Sequence, residues 1–253
     1  MKTLKLKDYD SSTLPISRKP FTANEPMVVE ERYVSTKLQK SGVNEIISHF
    51  LSTLILSLDG KEYQTTEQGR VNPSQYKRIF EDLKDLPDGD IYFLYLYILH
   101  EADPDYIFDF KCTECGAENL ESTFNLGEIE VYVVEDEADV EKAVTLIKGV
   151  GADRIKEVII SYILWRHVYN KKSFSDIKEE TLRRCIHKFG DSDAHANLDK
   201  SDVQYMYSKD RRILYKEYGE MKGGADLKFV LECGSCGFAQ SHNLDALRTF
   251  DFC

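Results

Sequence analysis

The stretch FKCTECGAEN, Phe110–Asn119, carries a C-x-x-C-G unit, and a second such unit returns in LECGSCGFAQ, Leu231–Gln240. Zinc takes four soft or borderline ligands in a tetrahedron. A C-x-x-C turn lets two thiolates reach one ion while the backbone N–H groups just after it point at the sulfurs. Glycine after the second cysteine tolerates the left-handed backbone that such a turn uses, and Gly116 and Gly237 stand in that place. Cys112, Cys115, Cys233 and Cys236 then complete a four-sulfur set. A closed set of this kind leaves no position for a substrate, so the expectation is one structural zinc ion, with no catalytic role.

The long stretch between the units does not count against a shared site. Lengthening a closed loop from about 15 to about 117 residues adds roughly 2 kcal/mol, whereas structural zinc contributes on the order of 10–16 kcal/mol in small peptides. A thioredoxin-like redox pair needs one C-x-x-C at a helix start within a βαβ unit; here there are two, each preceded by a strand-like run. Cys185 and Cys253 have no partner in sequence and read as free thiols. His187 and His242 lie near cysteines in the chain and are alternative ligands, but the four cysteines already fill the coordination shell.

Outward from the knuckles, Tyr106, Phe108 and Phe110 alternate with Ile107, Asp109 and Lys111 as a strand, and IEVYVVE from Ile129 reads as another. DLKFVLE from Asp226 is extended chain leading into Cys233. Strand, C-x-x-C-G, polar segment, then FNL at Phe124 or HNL at His242 forms an internal echo, the order two halves of a zinc ribbon would show. Leu4 and Leu6 alternate with lysines as an N-terminal strand or hairpin arm. From Pro26 to Ser57 the apolar positions Val43, Ile46, Ile47, Phe50, Leu51 and Leu54 recur at helical steps. Asn72-Pro73 caps a second helix carrying Tyr76, Ile79, Phe80 and Leu83. The run IYFLYLYILH is apolar on all sides, and Asp90 as its cap tips it toward helix. Beyond Asp136, Val140, Ala143, Val144 and Ile147 form one helical stripe and Ile155, Val158, Ile159, Tyr162 and Ile163 the next.

The expected fold is therefore α+β and mostly helical. It comprises an N-terminal β arm (1–25), a helical core (26–102), a split four-cysteine zinc ribbon (103–135 and 226–253) and a helical insertion (136–225) between the ribbon halves.

A chain of 253 residues with 42% hydrophobic and 11% aromatic side chains can fill a core. The start, MKTLKLKDYDSS, has no apolar stretch after its lysines, and the longest apolar run, Ile91–Leu99, is under half a membrane span, so neither a secretory leader nor a membrane span is expected. With 44 acidic against 33 basic side chains, the charge of −11 disfavours general nucleic-acid binding. Six cysteines without a leader fit metal binding better than disulfides. No phosphate-binding, zinc-protease, nucleophile-elbow or dinucleotide motif occurs, and the acidic pairs Glu30-Glu31 and Glu179-Glu180 read as solvated helix faces. No catalytic residue is assigned.

The order LKL…LPISRKPFTANEPMVVEERYV, then helices, then LPDGDIYFLYLYILHEADPDYIFDFKCTECGAENLESTFNLGEIEV resembles the baseplate hub and hub-assembly proteins of T-even-like contractile-tailed bacteriophages. Pro20-Phe21, Glu30-Glu31, Asp90 to Leu99 and Cys112/Cys115 occupy the matching places over residues 1–135. The resemblance implies a non-enzymatic structural or assembly protein. It would work through contacts with other tail and baseplate proteins, in the virion baseplate or in the host cytoplasm during assembly, with self-association left open. The competing class is a cytoplasmic zinc-ribbon adaptor of transcription or translation; a thiol oxidoreductase is a third.

Overall fold

In chain order the elements are β1 (Lys2–Lys5), β2 (Phe21–Ala23), α1 (Val43–Leu54), β3 (Ile55–Leu58), β4 (Lys61–Glu62), α2 (Tyr76–Leu83), α3 (Asp88–Ala102), β5 (Asp105–Lys111), β6 (Glu118–Asn125) and β7 (Glu130–Val133). There follow β8 (Glu141–Val150), β9 (Ile155–Ser161), α4 (Phe174–Cys185), β10 (Ile186–Phe189), α5 (Lys200–Gln204), α6 (Ser208–Glu220), β11 (Gly224–Ala225), β12 (Lys228–Glu232) and β13 (Ala239–Asn243). The structure is a computed structural model; it describes residues 1–10, 12–27, 42–171, 174–190, 196, 198–221 and 223–244.

The strands form five small sheets, in the orders β1-β7-β11, β2-β3-β4, β10-β9-β8, β5-β6 and β12-β13. Among the described residues helix accounts for 36% and strand for 32%, a mixture of the two, and the mostly helical expectation is wrong.

The error lies in the block expected to be a helical insertion. Most of the stretch from Val140 to Ile163 is a β-hairpin, β8 (Glu141–Val150) against β9 (Ile155–Ser161), with β10 added at the edge of β9. Val144 and Leu146 are buried while Ala143, Thr145 and Ile147 are exposed, which is the two-residue period of a half-buried strand. The apparent helical stripe joins Val140, in the 3₁₀ turn before β8, with the inward Val144 and the outward Ala143 and Ile147, and the register slips between Thr145 and Val150. α-Helices in the block are confined, among the described residues, to α4, α5 and α6. Nor does the block stand apart from the body. Trp165 is fully buried, donates its backbone N–H to Leu86 O (2.8 Å), and donates its indole N–H to Ser48 Oγ on α1 (2.6 Å). A single apolar cluster runs from Leu6 to Leu244.

The helical stripe of α1 buries Ile46, Ile47, Phe50, Leu51 and Leu54 completely. The predicted helix was too long: Ile55–Leu58 continue as β3, and residues 28–41, including Glu30-Glu31, lie outside the described residues. Asn72 does cap, accepting from Ser74 N (3.0 Å) ahead of a short 3₁₀ turn and α2. IYFLYLYILH lies within α3, the central helix, with Ile91, Phe93, Leu94, Tyr95 and Leu96 at most 1% exposed.

Asp90 does not cap α3; Pro87 holds that place. Fully buried in the first turn, Asp90 receives Ile16 N (2.8 Å) and Ser17 N (2.9 Å), tying the turn of the N-terminal arm to the helix. Asp210, fully buried in the first turn of α6, does the same for β8, accepting from Ile147 N (2.7 Å) and Lys148 N (3.0 Å). Burial pushes the Asp90 carboxyl up to about 6, against the lowering effect of the Ser17 and Ile16 hydrogen bonds.

Among the described residues the N-terminal strand finds no local hairpin partner. β1 pairs antiparallel with β7, and β11 pairs with the other edge of β7. This last pairing positions the cysteines, because β7 leaves the first knuckled hairpin and β11 leads into the second. Gly224 (φ +78°) lets β11 pass against the start of α3, where a Cβ would meet Gly89 O at 2.3 Å.

Candidate metal centre

Each C-x-x-C-G unit forms the tip of an antiparallel hairpin, β5–β6 for Cys112–Cys115 and β12–β13 for Cys233–Cys236. The two tips are built alike. Cys112 N donates to Ala117 O (2.9 Å) and Gly116 N to Cys112 O (3.0 Å); in the second, Cys233 N donates to Phe238 O (2.9 Å) and Gly237 N to Cys233 O (2.8 Å). Gly116 and Gly237 both have φ +72°, the left-handed conformation for which glycine was expected. At the far end of the echo, Leu126 N donates to Pro104 O and Leu244 N to Leu227 O, both at 2.7 Å, and both leucines are buried.

Pairing of β11 with β7 brings the tips together. All four sulfurs lie within 4.8 Å of one another. The cross-knuckle pairs Cys112–Cys236 and Cys115–Cys233 are 3.8 and 3.7 Å apart. A tetrahedral ion with metal–sulfur bonds of about 2.3 Å sets its sulfurs about 3.8 Å apart, so the donor set fits a metal such as zinc in both chemistry and spacing. Backbone N–H groups of Ser235 and Cys236 aimed at Cys233 pull its thiol well below the ordinary range. The N–H of Phe238 acts in the same direction on Cys236, but the neighbouring Cys115, Cys233 and Cys112 sulfurs outweigh it and push that thiol up. Four sulfurs this close cannot all ionise without a cation among them.

Beneath the knuckles the hairpins share a small aromatic core. Phe229 stacks on Phe124 (4.3 Å between centroids) and meets Phe108 edge-on (5.4 Å). His242 belongs here and not to the metal set: its ring packs on Phe110 (4.8 Å), Phe108 (5.5 Å) and Phe229 (5.6 Å), and burial holds it below the usual histidine range. His187 is elsewhere, its Nδ1 2.7 Å from Glu141 Oε1 in the β8–β10 sheet. Cys185 is buried at the end of α4, its thiol pushed up to about 12 by burial, and Cys253 lies outside the described residues. Glu180 is not merely solvated, since it receives Arg183 (2.5 Å) and Arg184 (3.1 Å) on its own helix.

Two residues that reading the chain missed cross between the knuckles. Asn119 Oδ1 accepts from Gly234 N (2.9 Å) and its amide N–H donates to Cys233 Sγ (3.6 Å). Gln240 Oε1 accepts from Thr113 N (3.0 Å), and its amide donates to Lys111 O (3.4 Å). Both stand at the fourth place after the second cysteine of their own knuckle, a match that overlaying the two echoes exposes.

Compared with protein-family models, curated proteins and solved structures, the chain matches none. Among the described residues no helix is long and apolar enough to cross a membrane.

Proposed function

We propose that the protein is a non-enzymatic structural or assembly component of a contractile-tail baseplate hub, with one structural zinc ion held by Cys112, Cys115, Cys233 and Cys236. The observation that carries the zinc part is the convergence of four sulfurs from two knuckles at tetrahedral spacing. Bound there, the ion would supply a cross-link and charge neutralisation; all four of its positions would be taken by protein sulfur, so it offers a substrate none. The baseplate part rests on the resemblance of residues 1–135, and a rigid, ion-fastened ribbon beside an aromatic-rich body suits a protein that works through contacts.

The test has two readouts. Protein purified without added metal should contain one zinc per chain by elemental analysis. Affinity capture from infected cells should recover tail and baseplate proteins. A metal-free chain of unchanged thermal stability sinks the zinc centre, and specific recovery of polymerase or ribosomal proteins replaces the baseplate reading with the adaptor.

A further inference from the structure

The two knuckles are fastened to each other by protein as well as by sulfur geometry, and the fastening is reciprocal. Asn119 on β6 reaches the second knuckle, where its carbonyl oxygen takes the N–H of Gly234, the residue after Cys233. Its amide N–H groups go to Ala117 O of its own knuckle (3.2 Å) and to Cys233 Sγ (3.6 Å). Gln240 on β13 reaches the first knuckle, where its oxygen takes the N–H of Thr113, the residue after Cys112, at 3.0 Å and the Thr113 hydroxyl at 3.4 Å. Its amide N–H closes on Lys111 O, the residue before Cys112, at 3.4 Å. Each amide therefore grips the first cysteine of the opposite knuckle by its neighbouring backbone. The arrangement departs from symmetry at one point: in the described contacts Asn119 touches a sulfur and Gln240 does not.

We infer that Asn119 and Gln240 are positioning residues of the metal centre: they lock the half-sites together so that the four sulfurs already face one ion, and Asn119 in addition tunes the Cys233 sulfur. This inference rests on the metal-centre reading above and assigns it two residues that are not ligands. Side chains that orient ligands typically alter metal affinity 10- to 100-fold when removed. A hydrogen bond to a coordinated sulfur also changes how readily that sulfur gives electron density to the ion, which a purely architectural contact does not.

Cobalt(II), a tetrahedral zinc substitute with visible absorption, separates the two roles. The full-length chain, Asn119→Ala, Asn119→Asp and Gln240→Ala are titrated with cobalt(II) against a chromophoric chelator. Both alanine variants should bind about 10- to 100-fold more weakly. The sulfur-to-cobalt charge-transfer band should shift in Asn119→Ala and stay in place in Gln240→Ala. Asn119→Asp keeps the acceptor for Gly234 N–H but replaces the donor to sulfur and to Ala117 O by a carboxylate oxygen, so it should shift the band and weaken binding as Asn119→Ala does. It also carries the test if Asn119→Ala does not fold. Wild-type affinity and an unmoved band in the variants overturn the inference alone. A wild-type chain that takes up no cobalt overturns the metal centre, and this inference with it.

Discussion

The ribbon and the body solve one problem, fastening chain segments far apart in sequence, by different means. The ribbon consists of two sheets of two strands each, and its interior, centred on Phe108, Phe110, Phe124, Phe229 and His242, is a thin margin of the cluster that fills the body. Isolated two-stranded hairpins are marginal in water. The body instead encloses α3 and Trp165 in a continuous apolar core, and it anchors the N-terminal turn and β8 through buried carboxylates. The four-cysteine cluster is thus placed where apolar burial is thinnest, and the rest of the fold has other supports.

If the four cysteines hold the proposed zinc, removing it is the strongest way to break that comparison. Structural zinc contributes on the order of 10 kcal/mol to small domains, so chelation, or Cys115→Ser, should unfold the ribbon. The amides of Cys112, Gly116, Cys233 and Gly237, protected in the knuckles, should then exchange rapidly with solvent while amides of α1 and α3 keep most of their protection. Hydrogen exchange followed by mass spectrometry reads this directly. Equal loss in both regions would mean that the body depends on the metal too.

The converse perturbation touches the body alone. Asp210→Ala strands the N–H groups of Ile147 and Lys148 and should cost about 3 kcal/mol with metal content unchanged. Asp90→Ala strands Ile16 and Ser17 likewise, with a pH dependence of definite sign. The folded-state pKa of Asp90, about 6, lies above the unfolded value near 3.9. Its contribution is therefore complete below about pH 4 and declines as pH rises through about 6. The stability difference between wild type and Asp90→Ala, from urea melts, should be larger at pH 5 than at pH 8; the opposite trend would show that the hydrogen bonds to the ionised form outweigh burial.

These two regions also differ in how far they can be read from the chain. The knuckles are legible because a four-cysteine metal site would make local demands: two cysteines at fixed spacing, a glycine for the left-handed turn, a strand leading in; the returning strands β6 and β13 read only as polar segments. Apolar α3 and the Asn72 cap are local too. What escaped is non-local. Asp90 and Asp210 act on backbone far away in sequence, and nothing nearby marks them as anchors. The β8–β9 hairpin escaped because its apolar residues do not keep to one face: Val140 lies in the 3₁₀ turn before β8, Val144 points inward, and Ala143 and Ile147 are exposed, yet the four stand at helical steps in the chain. The β-branched content of Val144, Thr145, Ile155, Val158, Ile159 and Ile160 was the contrary signal. Asn119 and Gln240 were recoverable only by laying one half of the echo on the other.

The finest test asks whether the two ribbon halves are energetic equivalents as well as geometric ones. Gly116 and Gly237 share φ +72°, and a Cβ at Gly237 would meet nothing within 4 Å while one at Gly116 would only graze Lys111 Cε at 4.0 Å. With steric clash excluded at both, alanine should cost the left-handed backbone strain alone, about 1–2 kcal/mol, and the same at each. Gly116→Ala and Gly237→Ala should then lower the melting temperature of the zinc-loaded protein by similar amounts. If one substitution proves much more damaging, the halves are not interchangeable supports. In that case the knuckle that tolerates less strain is the one on which assembly of the centre depends.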